Sequence, residues 1–158
     1  MVVTRAVQVP VFGGSLRVTA RRLEDQGAVD PSVKEVLEAE RAAGLDDGHG
    51  IEQFGRQGTV VASHFRQHLI DAREAGVSVA GYGAPSKAPV LVNLAGIDES
   101  LLPYTVDISP EKHGRRLPGT RIPIYSPEEL VRRQPQEVIV FTWDIVDEIA
   151  RQLQDRCV

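Results

Sequence analysis

The sequence predicts an α/β domain with a mostly parallel sheet, preceded by a β-hairpin and a long helix. From residue 77 onward, apolar β-type runs alternate with helical patterns, which is typical of a parallel sheet with right-handed connections. Apolar residues alternate with others on both sides of Gly13-Gly14, which predicts the hairpin. Apolar residues also recur at spacings of three, four and seven over residues 51–75, which predicts the long helix.

The composition is that of an ordinary globular domain. The 158 residues suffice for one domain with its own core, and they carry a formal net charge of −4 with 25% charged residues. Nothing in this balance indicates a nucleic-acid surface or a membrane-binding face. We find no signal-peptide pattern after Met1 and no run near the roughly 18 apolar residues of a membrane span. We therefore expect a cytoplasmic protein without a nucleic-acid or membrane partner.

The first third of the chain predicts a hairpin and a helix. The strands are expected over residues 6–12 and 15–20, with Gly13-Gly14 as the turn. Two strands alone are only marginally stable in water, and the next fifty residues offer no further strand, so this hairpin needs another sheet to join. Asp30 is a good helix cap with Pro31 at the first helical position, and Gly44 is expected to end that helix.

The second helix is expected over residues 51–75. Its helical spacing predicts one buried face, and Gly55 and Gly58 weaken its first turns by about 1 kcal/mol each relative to alanine. The residues expected on the buried face are Phe54, Val61, Phe65, Leu69 and Ala72.

No metal pattern in the sequence is complete. Asp46 and Asp47 are adjacent rather than alternating, and no glutamate closes a calcium loop. His64 and His68 lack the glutamate of a His-Glu-x-x-His site, so we interpret them as a solvated helix face. The single cysteine, Cys157, excludes a zinc site built from several cysteines of this chain. We predict no metal site.

The stretch over residues 77–87 carries the strongest functional signal. A short apolar run breaks into Gly81-x-Gly83, and a turn of small residues with Ser86 and Lys87 then opens a helix. Gly81 and Gly83 allow positive φ and a close approach of a ligand. The N–H groups at the helix start attract an anion, and Lys87 adds a mobile cation. The pattern predicts a phosphate-binding turn between a strand and a helix.

The remaining elements continue the alternation. Ser126-Pro127-Glu128-Glu129 has the pattern of a capping box, and Asp144 is expected to cap the last helix. The apolar run at 137–141 is typical of a strand buried on both faces. The expected elements are a helix over 88–96, strands over 103–106 and 122–125, a helix over 127–133, a strand over 137–141, and a final helix with Ile145, Ile149 and Leu153 on one face.

Polar residues follow the predicted strands. Asp107 ends the second strand, where dinucleotide-binding folds carry a ribose-binding acid. Asn93 is the one polar residue of an apolar helix, and it either bonds to the backbone or faces a ligand. The loop over 109–121 is either a solvated surface or an anion clamp, and its cations are Lys112, Arg115, Arg116 and Arg121. Because ligands of parallel sheets bind at the carboxyl ends of the strands, we expect segments 81–87, 107–112 and 142–144 to meet in one crevice.

Several motifs resemble the C-terminal domain of the sugar-nucleotide C-methyltransferases. They are Val79-Ala80-Gly81-Tyr82-Gly83-Ala84-Pro85-Ser86-Lys87, Leu91-Val92-Asn93-Leu94-Ala95-Gly96-Ile97, the segment 106–124 with Leu117-Pro118-Gly119-Thr120, and the endings Ser126-Pro127-Glu128 and Thr142-Trp143. Upstream, Phe12-Gly13-Gly14-Ser15-Leu16-Arg17 is similar to the last hairpin of that family's methyltransferase domain. The resemblance covers nearly the whole chain.

The resemblance implies a Rossmann-like, three-layer domain over residues 23–158, with a remnant of the methyltransferase domain over residues 1–22. Full members of the family methylate a carbon of a deoxy keto-sugar on a nucleoside diphosphate such as dTDP, with S-adenosylmethionine as the donor. The resemblance also implies which residues contact the sugar nucleotide: Gly81, Gly83, Ser86, Lys87, Asn93, Asp107, Ser109, Lys112 and Arg121.

This sequence also departs from the family's pattern. It lacks the zinc-binding cysteines, the glycine-rich methyl-donor motif and the family's catalytic base, and it ends before the strand that usually closes this domain. Ala88-Pro89 stands where the family usually has glycine and a polar residue. We therefore expect a sugar-nucleotide-binding module that binds no cofactor, has no catalytic residue and transfers no methyl group alone. Its partner is either a separate methyltransferase subunit or a second copy joined through the hairpin.

Two alternatives belong to other functional classes. Gly81-x-Gly83 and Asp107 also favour an NAD- or other coenzyme-binding domain of an oxidoreductase, although Ser86 stands in place of that motif's third glycine. The hairpin without a sheet favours a non-catalytic interaction module that pairs through its edge.

Overall fold

The computed structural model of the protein describes residues 1–25 and 27–155, and Cys157 lies outside the described residues. The elements are, in order, β1 (Val2–Val9), β2 (Ser15–Arg21), α1 (Ser32–Ala42), α2 (His49–Glu74), β3 (Val79–Tyr82), α3 (Lys87–Leu94), β4 (Thr105–Val106), β5 (Ile124–Tyr125), α4 (Glu128–Arg133), β6 (Glu137–Val140) and α5 (Val146–Asp155). Short 3-10 turns cover Pro110–Lys112 and Trp143–Ile145.

The chain divides into two compact units, Met1–Gln57 and Gly58–Val158, and the boundary falls within α2. The boundary after residue 22 that the resemblance suggests stays a prediction. No helix among the described residues has the length and apolar character needed to cross a bilayer.

The first unit contains the predicted hairpin. β1 and β2 pair antiparallel, with Val9 opposite Ser15, and β1 begins at Val2 rather than at the predicted residue 6. The turn is longer than two glycines, because Phe12 also adopts a positive φ of 53°. The hairpin forms a sheet of two strands among the described residues.

The helix α1 packs against β1 in this first unit. The hydroxyl oxygen of Ser32 accepts the Ala6 N–H at 3.2 Å, and the Thr4 carbonyl accepts the Asp30 N–H at 2.9 Å. The Asp30 carboxylate accepts the Ser32 N–H at 3.0 Å, and Gly44 follows the helix with a φ of +68°. The predicted start and end of this helix are therefore confirmed.

The second unit contains a four-stranded parallel sheet in the order β5-β4-β3-β6. Alternate strand residues face opposite sides, so Val79 packs in one hydrophobic cluster and Tyr82 in the other. On one face lie α2 and α3, which contribute Leu69 and Val92 to the first cluster. On the other face lie α4 and α5, whose buried side chains are Leu130, Ile149 and Leu153. This arrangement confirms the predicted three-layer, Rossmann-like α/β fold.

The buried face of α2 differs from the prediction. Ala62 lies in the core, whereas Val61 is 57% exposed and Phe54 is 76% exposed. Neighbouring helical residues point about 100° apart, so burying Ala62 turns Val61 towards solvent. Phe65, Leu69 and Ala72 pack in the core as predicted.

Two predictions for the later elements also need correction. β6 lies at an edge of the described sheet and its residues are only half-buried, although Val138 and Ile139 pack on opposite faces. The helix α4 forms where predicted, but the carboxylate of Glu129 binds the guanidinium groups of Arg132 and Arg133 at 2.7 and 2.6 Å. A capping box would turn this carboxylate back towards the helix start.

Candidate functional site

The loops that follow β3, β4 and β6 meet at the carboxyl edge of the parallel sheet. The N–H of Ala84, after β3, donates to the Asp107 carboxylate, after β4, at 2.6 Å. The ammonium group of Lys87 donates to the carboxylate of Asp144, after β6, at 2.5 Å. The expected convergence of these three segments is therefore confirmed.

The two glycines of the predicted phosphate turn have different roles. Gly83 has a φ of +90°, as expected for a tight turn at the end of β3. Gly81 lies inside β3 without a positive φ, so the expectation for its backbone was wrong. A Cβ atom on Gly81 would lie 2.6 Å from the Thr105 hydroxyl oxygen and 2.9 Å from the Phe141 ring. The packing of neighbouring strands therefore requires Gly81.

Asp107 holds the β3 and β4 loops together. Its side chain is 7% exposed, and its carboxylate accepts the Ala84 N–H, the Ser109 N–H at 2.9 Å and the Lys112 ammonium at 2.9 Å. Burial alone raises the pKa of Asp107, but these three donors bring that pKa below its usual value. Its backbone carbonyl also accepts the His113 ring N–H at 2.7 Å. Asp107 is thus a fully engaged structural acid.

Lys87 lies at the start of α3 and has two partners. Its ammonium group binds Asp144 and lies 4.3 Å from the centre of the Trp143 ring. The hydrogen bond from Lys87 lowers the pKa of the Asp144 carboxyl below its usual value. The side chain of Lys87 remains 38% exposed, while that of Asp144 is 16% exposed. The predicted phosphate-binding cation is therefore accessible but already paired.

Two predicted serines flank this edge. Ser86 immediately precedes α3 and is exposed. The hydroxyl of Ser109 donates to the carboxylate of Glu111 at 2.9 Å. Of the two, Ser86 offers the more accessible hydroxyl to a ligand.

Asn93 and Arg121 lie away from this edge. The Asn93 side-chain amide donates to the carbonyls of Pro89 at 2.7 Å and Pro118 at 2.9 Å, which fulfils the backbone-bonding alternative. The segment around Arg116 runs antiparallel to the segment that leads into β5, since Arg116 forms an antiparallel β-bridge with Pro123. Arg121, between these two segments, lies 3.9 Å from the Glu99 carboxylate. Both residues therefore lie towards the amino ends of the strands.

The sequence places segment 142–144 at this edge but predicts no binding role for Trp143 or Asp144. Asp144 follows a strand and precedes a helix, so it was interpreted as a cap, but a 3-10 turn intervenes and its carboxylate reaches Lys87. Trp143 is the only tryptophan of the chain and is 57% exposed. Both follow the carboxyl end of a parallel strand, and that position was the available signal.

The edge offers chemistry for binding an anion. It combines the start of a helix, an accessible hydroxyl and the ammonium groups of Lys87 and Lys112, each paired with a carboxylate and each on a side chain that is 38% exposed. Beside Gly83 and Asp107 lies a cavity of about 100 Å³, which Glu148 and Gln152 also line. Typical ligand pockets enclose roughly 300–1,000 Å³. A ligand of nucleotide size is therefore too large for this cavity.

Comparisons with known proteins agree with this architecture. Residues 10–157 match the family model of the C-methyltransferase C-terminal domain. Over 139 residues, the chain is 32% identical to the C-methyltransferase NovU of Streptomyces niveus, an alignment that covers 88% of this chain and 33% of that protein. The chain therefore spans about a third of the length of this curated relative. It belongs to the family of C-methyltransferase C-terminal domains.

Proposed function

We propose that this domain binds the nucleoside diphosphate part of a sugar nucleotide at the carboxyl edge of its parallel sheet. The observation that carries the proposal is the position of Lys87, an accessible ammonium group on the first residue of α3, just after the tight turn at Gly83. The N-terminus of a helix carries a partial positive charge, and in α3 this charge is what the helix start offers, because the Ala88 N–H already donates to the Pro85 carbonyl and Pro89 has no N–H. A diphosphate supplies the negative oxygens that suit both.

The resemblance of the sequence to the sugar-nucleotide C-methyltransferases supports a proposal for the substrate class. We propose a deoxy keto-sugar linked to a nucleoside diphosphate such as dTDP, which a complete C-methyltransferase methylates on carbon. S-Adenosylmethionine would supply the methyl group. Its positively charged sulfonium does not suit an edge that offers an ammonium group and helix N–H donors. We assign the donor to a segment outside this chain and derive no transfer step from these residues.

The hairpin suggests how such a segment is joined. We propose that the β1–β2 sheet extends the sheet of a methyltransferase segment, on the same or on another polypeptide. Phe12 is 82% exposed and Val18 is 50% exposed, and β2 pairs with no strand other than β1 among the described residues. Light scattering after size-exclusion chromatography tests this proposal against the alternative. A dimer that Val18→Asp separates into monomers would favour a second copy of the chain as the partner.

Isothermal titration calorimetry with dTDP tests the binding proposal. We expect the wild-type chain to bind dTDP and Lys87→Ala to bind it about tenfold more weakly, the loss typical of a charge-assisted contact. Lys34→Ala is the matched control, since Lys34 lies on α1, 3.5 Å from Glu38. The absence of wild-type binding at millimolar dTDP would overturn the proposal.

The coenzyme-binding alternative loses its main support. It assigned ribose recognition to Asp107, whose carboxylate instead accepts three donors from the protein and is nearly buried. Titration with NAD distinguishes the two functions. Tighter binding of NAD than of dTDP would favour the oxidoreductase alternative.

A further inference from the structure

Two consecutive residues after β6 hold the ammonium group of Lys87. Its ammonium group lies 2.5 Å from one carboxylate oxygen of Asp144 and 4.3 Å from the centre of the Trp143 ring. An ammonium group over an indole face is attracted by the negative face of the ring. Trp143 and Asp144 are consecutive residues, so one short turn after β6 provides both partners.

The ion pair between Lys87 and Asp144 can be broken at a low cost in free energy. Lys87 and Asp144 lie 57 positions apart in the sequence, and both side chains reach solvent, at 38% and 16% exposure. Ion pairs that remain in contact with water contribute little to stability because water and salt screen them. A phosphate group placed at the start of α3 would present more negative charge to Lys87 than one carboxylate does.

We infer that Asp144 holds Lys87 in a resting position from which an incoming diphosphate takes it, so that Asp144 competes with the ligand for Lys87. This inference rests on the proposed function, because it needs an anion at the start of α3. Asp144 is thus a positioning residue that lowers affinity. When Lys87 turns to the phosphate, its ammonium group leaves the face of Trp143.

The exchange has a direct spectroscopic signature. Trp143 is the only tryptophan in the chain, so the intrinsic tryptophan fluorescence reports on this one ring. Indole emission responds to a charge close to the ring. Binding of dTDP should therefore change the tryptophan emission of the wild-type chain. The Lys87→Met variant should start from a different emission, and dTDP should change that emission less than it changes the emission of the wild type.

The experiment is a titration of the full chain with dTDP, followed by calorimetry and by tryptophan emission. We expect Asp144→Asn to bind dTDP about fivefold more tightly than wild type, the factor that corresponds to one partly exposed ion pair. Asp144→Ser should behave in the same way and guards against a folding defect of the first variant. Asp147→Asn is the matched control, because that exposed residue makes the same chemical change on α5.

The possible results separate the inference from the proposed function. Tighter binding by both Asp144 variants, with unchanged binding by Asp147→Asn, supports the exchange. Equal or weaker binding by the Asp144 variants, alongside clear wild-type binding, overturns the exchange and leaves the proposed function intact. If neither the wild type nor any variant binds dTDP at millimolar concentration, the proposed function fails and the inference fails with it.

Discussion

The two lysine–carboxylate pairs at the carboxyl edge have the same chemistry but different surroundings. In the Lys112–Asp107 pair, the carboxylate is 7% exposed and also accepts two backbone N–H groups. In the Lys87–Asp144 pair, the carboxylate is 16% exposed, and Lys87 is the side chain that binds it. The difference indicates that the first pair fixes the loops, and it supports our proposal that the second pair is given up to a ligand.

The largest expected effect on stability comes from breaking the Lys112–Asp107 pair. Asp107→Ala leaves the Ala84 N–H, the Ser109 N–H and the Lys112 ammonium without their acceptor. We expect the free energy of unfolding to fall by about 2–3 kcal/mol, measured by urea denaturation. Asp144→Ala is the comparison variant and should lower it much less. Equal losses for the two variants would contradict the distinction between the pairs.

The pH dependence of stability should follow Asp107. Its pKa is below the usual value of 3.8, so the folded state favours the charged carboxylate. The stabilisation is fully present above the unfolded pKa and is lost as the pH falls through the lower, folded pKa. Below about pH 4, we therefore expect wild-type stability to fall more steeply than that of Asp107→Asn. Parallel pH profiles for the two proteins would show that Asp107 is not the group responsible.

A smaller effect is expected when Lys112 is replaced. Lys112→Met removes one donor from Asp107, so it should reduce the urea midpoint clearly. We expect dTDP affinity to change less than about threefold, because the nearly buried Asp107 carboxylate holds the Lys112 ammonium group, although the side chains of Lys112 and Lys87 are both 38% exposed. A loss of affinity as large as that of Lys87→Ala would place both lysines on the phosphate.

The smallest effect is expected at the other end of the sheet. Arg121 lies near Glu99 and Asn93 bonds to the carbonyl of Pro118, so neither lies near Lys87. Arg121→Ala should leave the affinity for dTDP within about twofold of wild type, as measured by calorimetry. A tenfold loss would extend the binding surface to residues that the resemblance suggested.

Local pattern predicted the fold well because period and turn chemistry are local properties. The alternation after residue 77 predicted the parallel sheet, and Asp30 and Gly44 marked the ends of α1. The buried face of α2 was assigned one position off at Val61, because the choice between Val61 and Ala62 depends on the surface packed against the helix.

The site was predicted only in part, because its partners are distant in sequence. The glycine turn at Gly83 and the accessible Lys87 were found from local chemistry. The pairing of Lys87 with Asp144 across 57 positions was not predictable, since Asp144 also fits a helix cap. Likewise, no local signal shows that both carboxylate oxygens of Asp107 accept hydrogen bonds from Ala84, Ser109 and Lys112.

The most direct test of the central claim is a map of the dTDP-binding surface by amide chemical-shift changes in NMR spectra of the full chain. We predict that the largest changes fall on the backbone amides of Gly83, Ser86 and Lys87, with further changes at Trp143 and Asp144. Largest changes at Asn93 and Arg121, or no changes at millimolar dTDP, would contradict binding at the carboxyl edge.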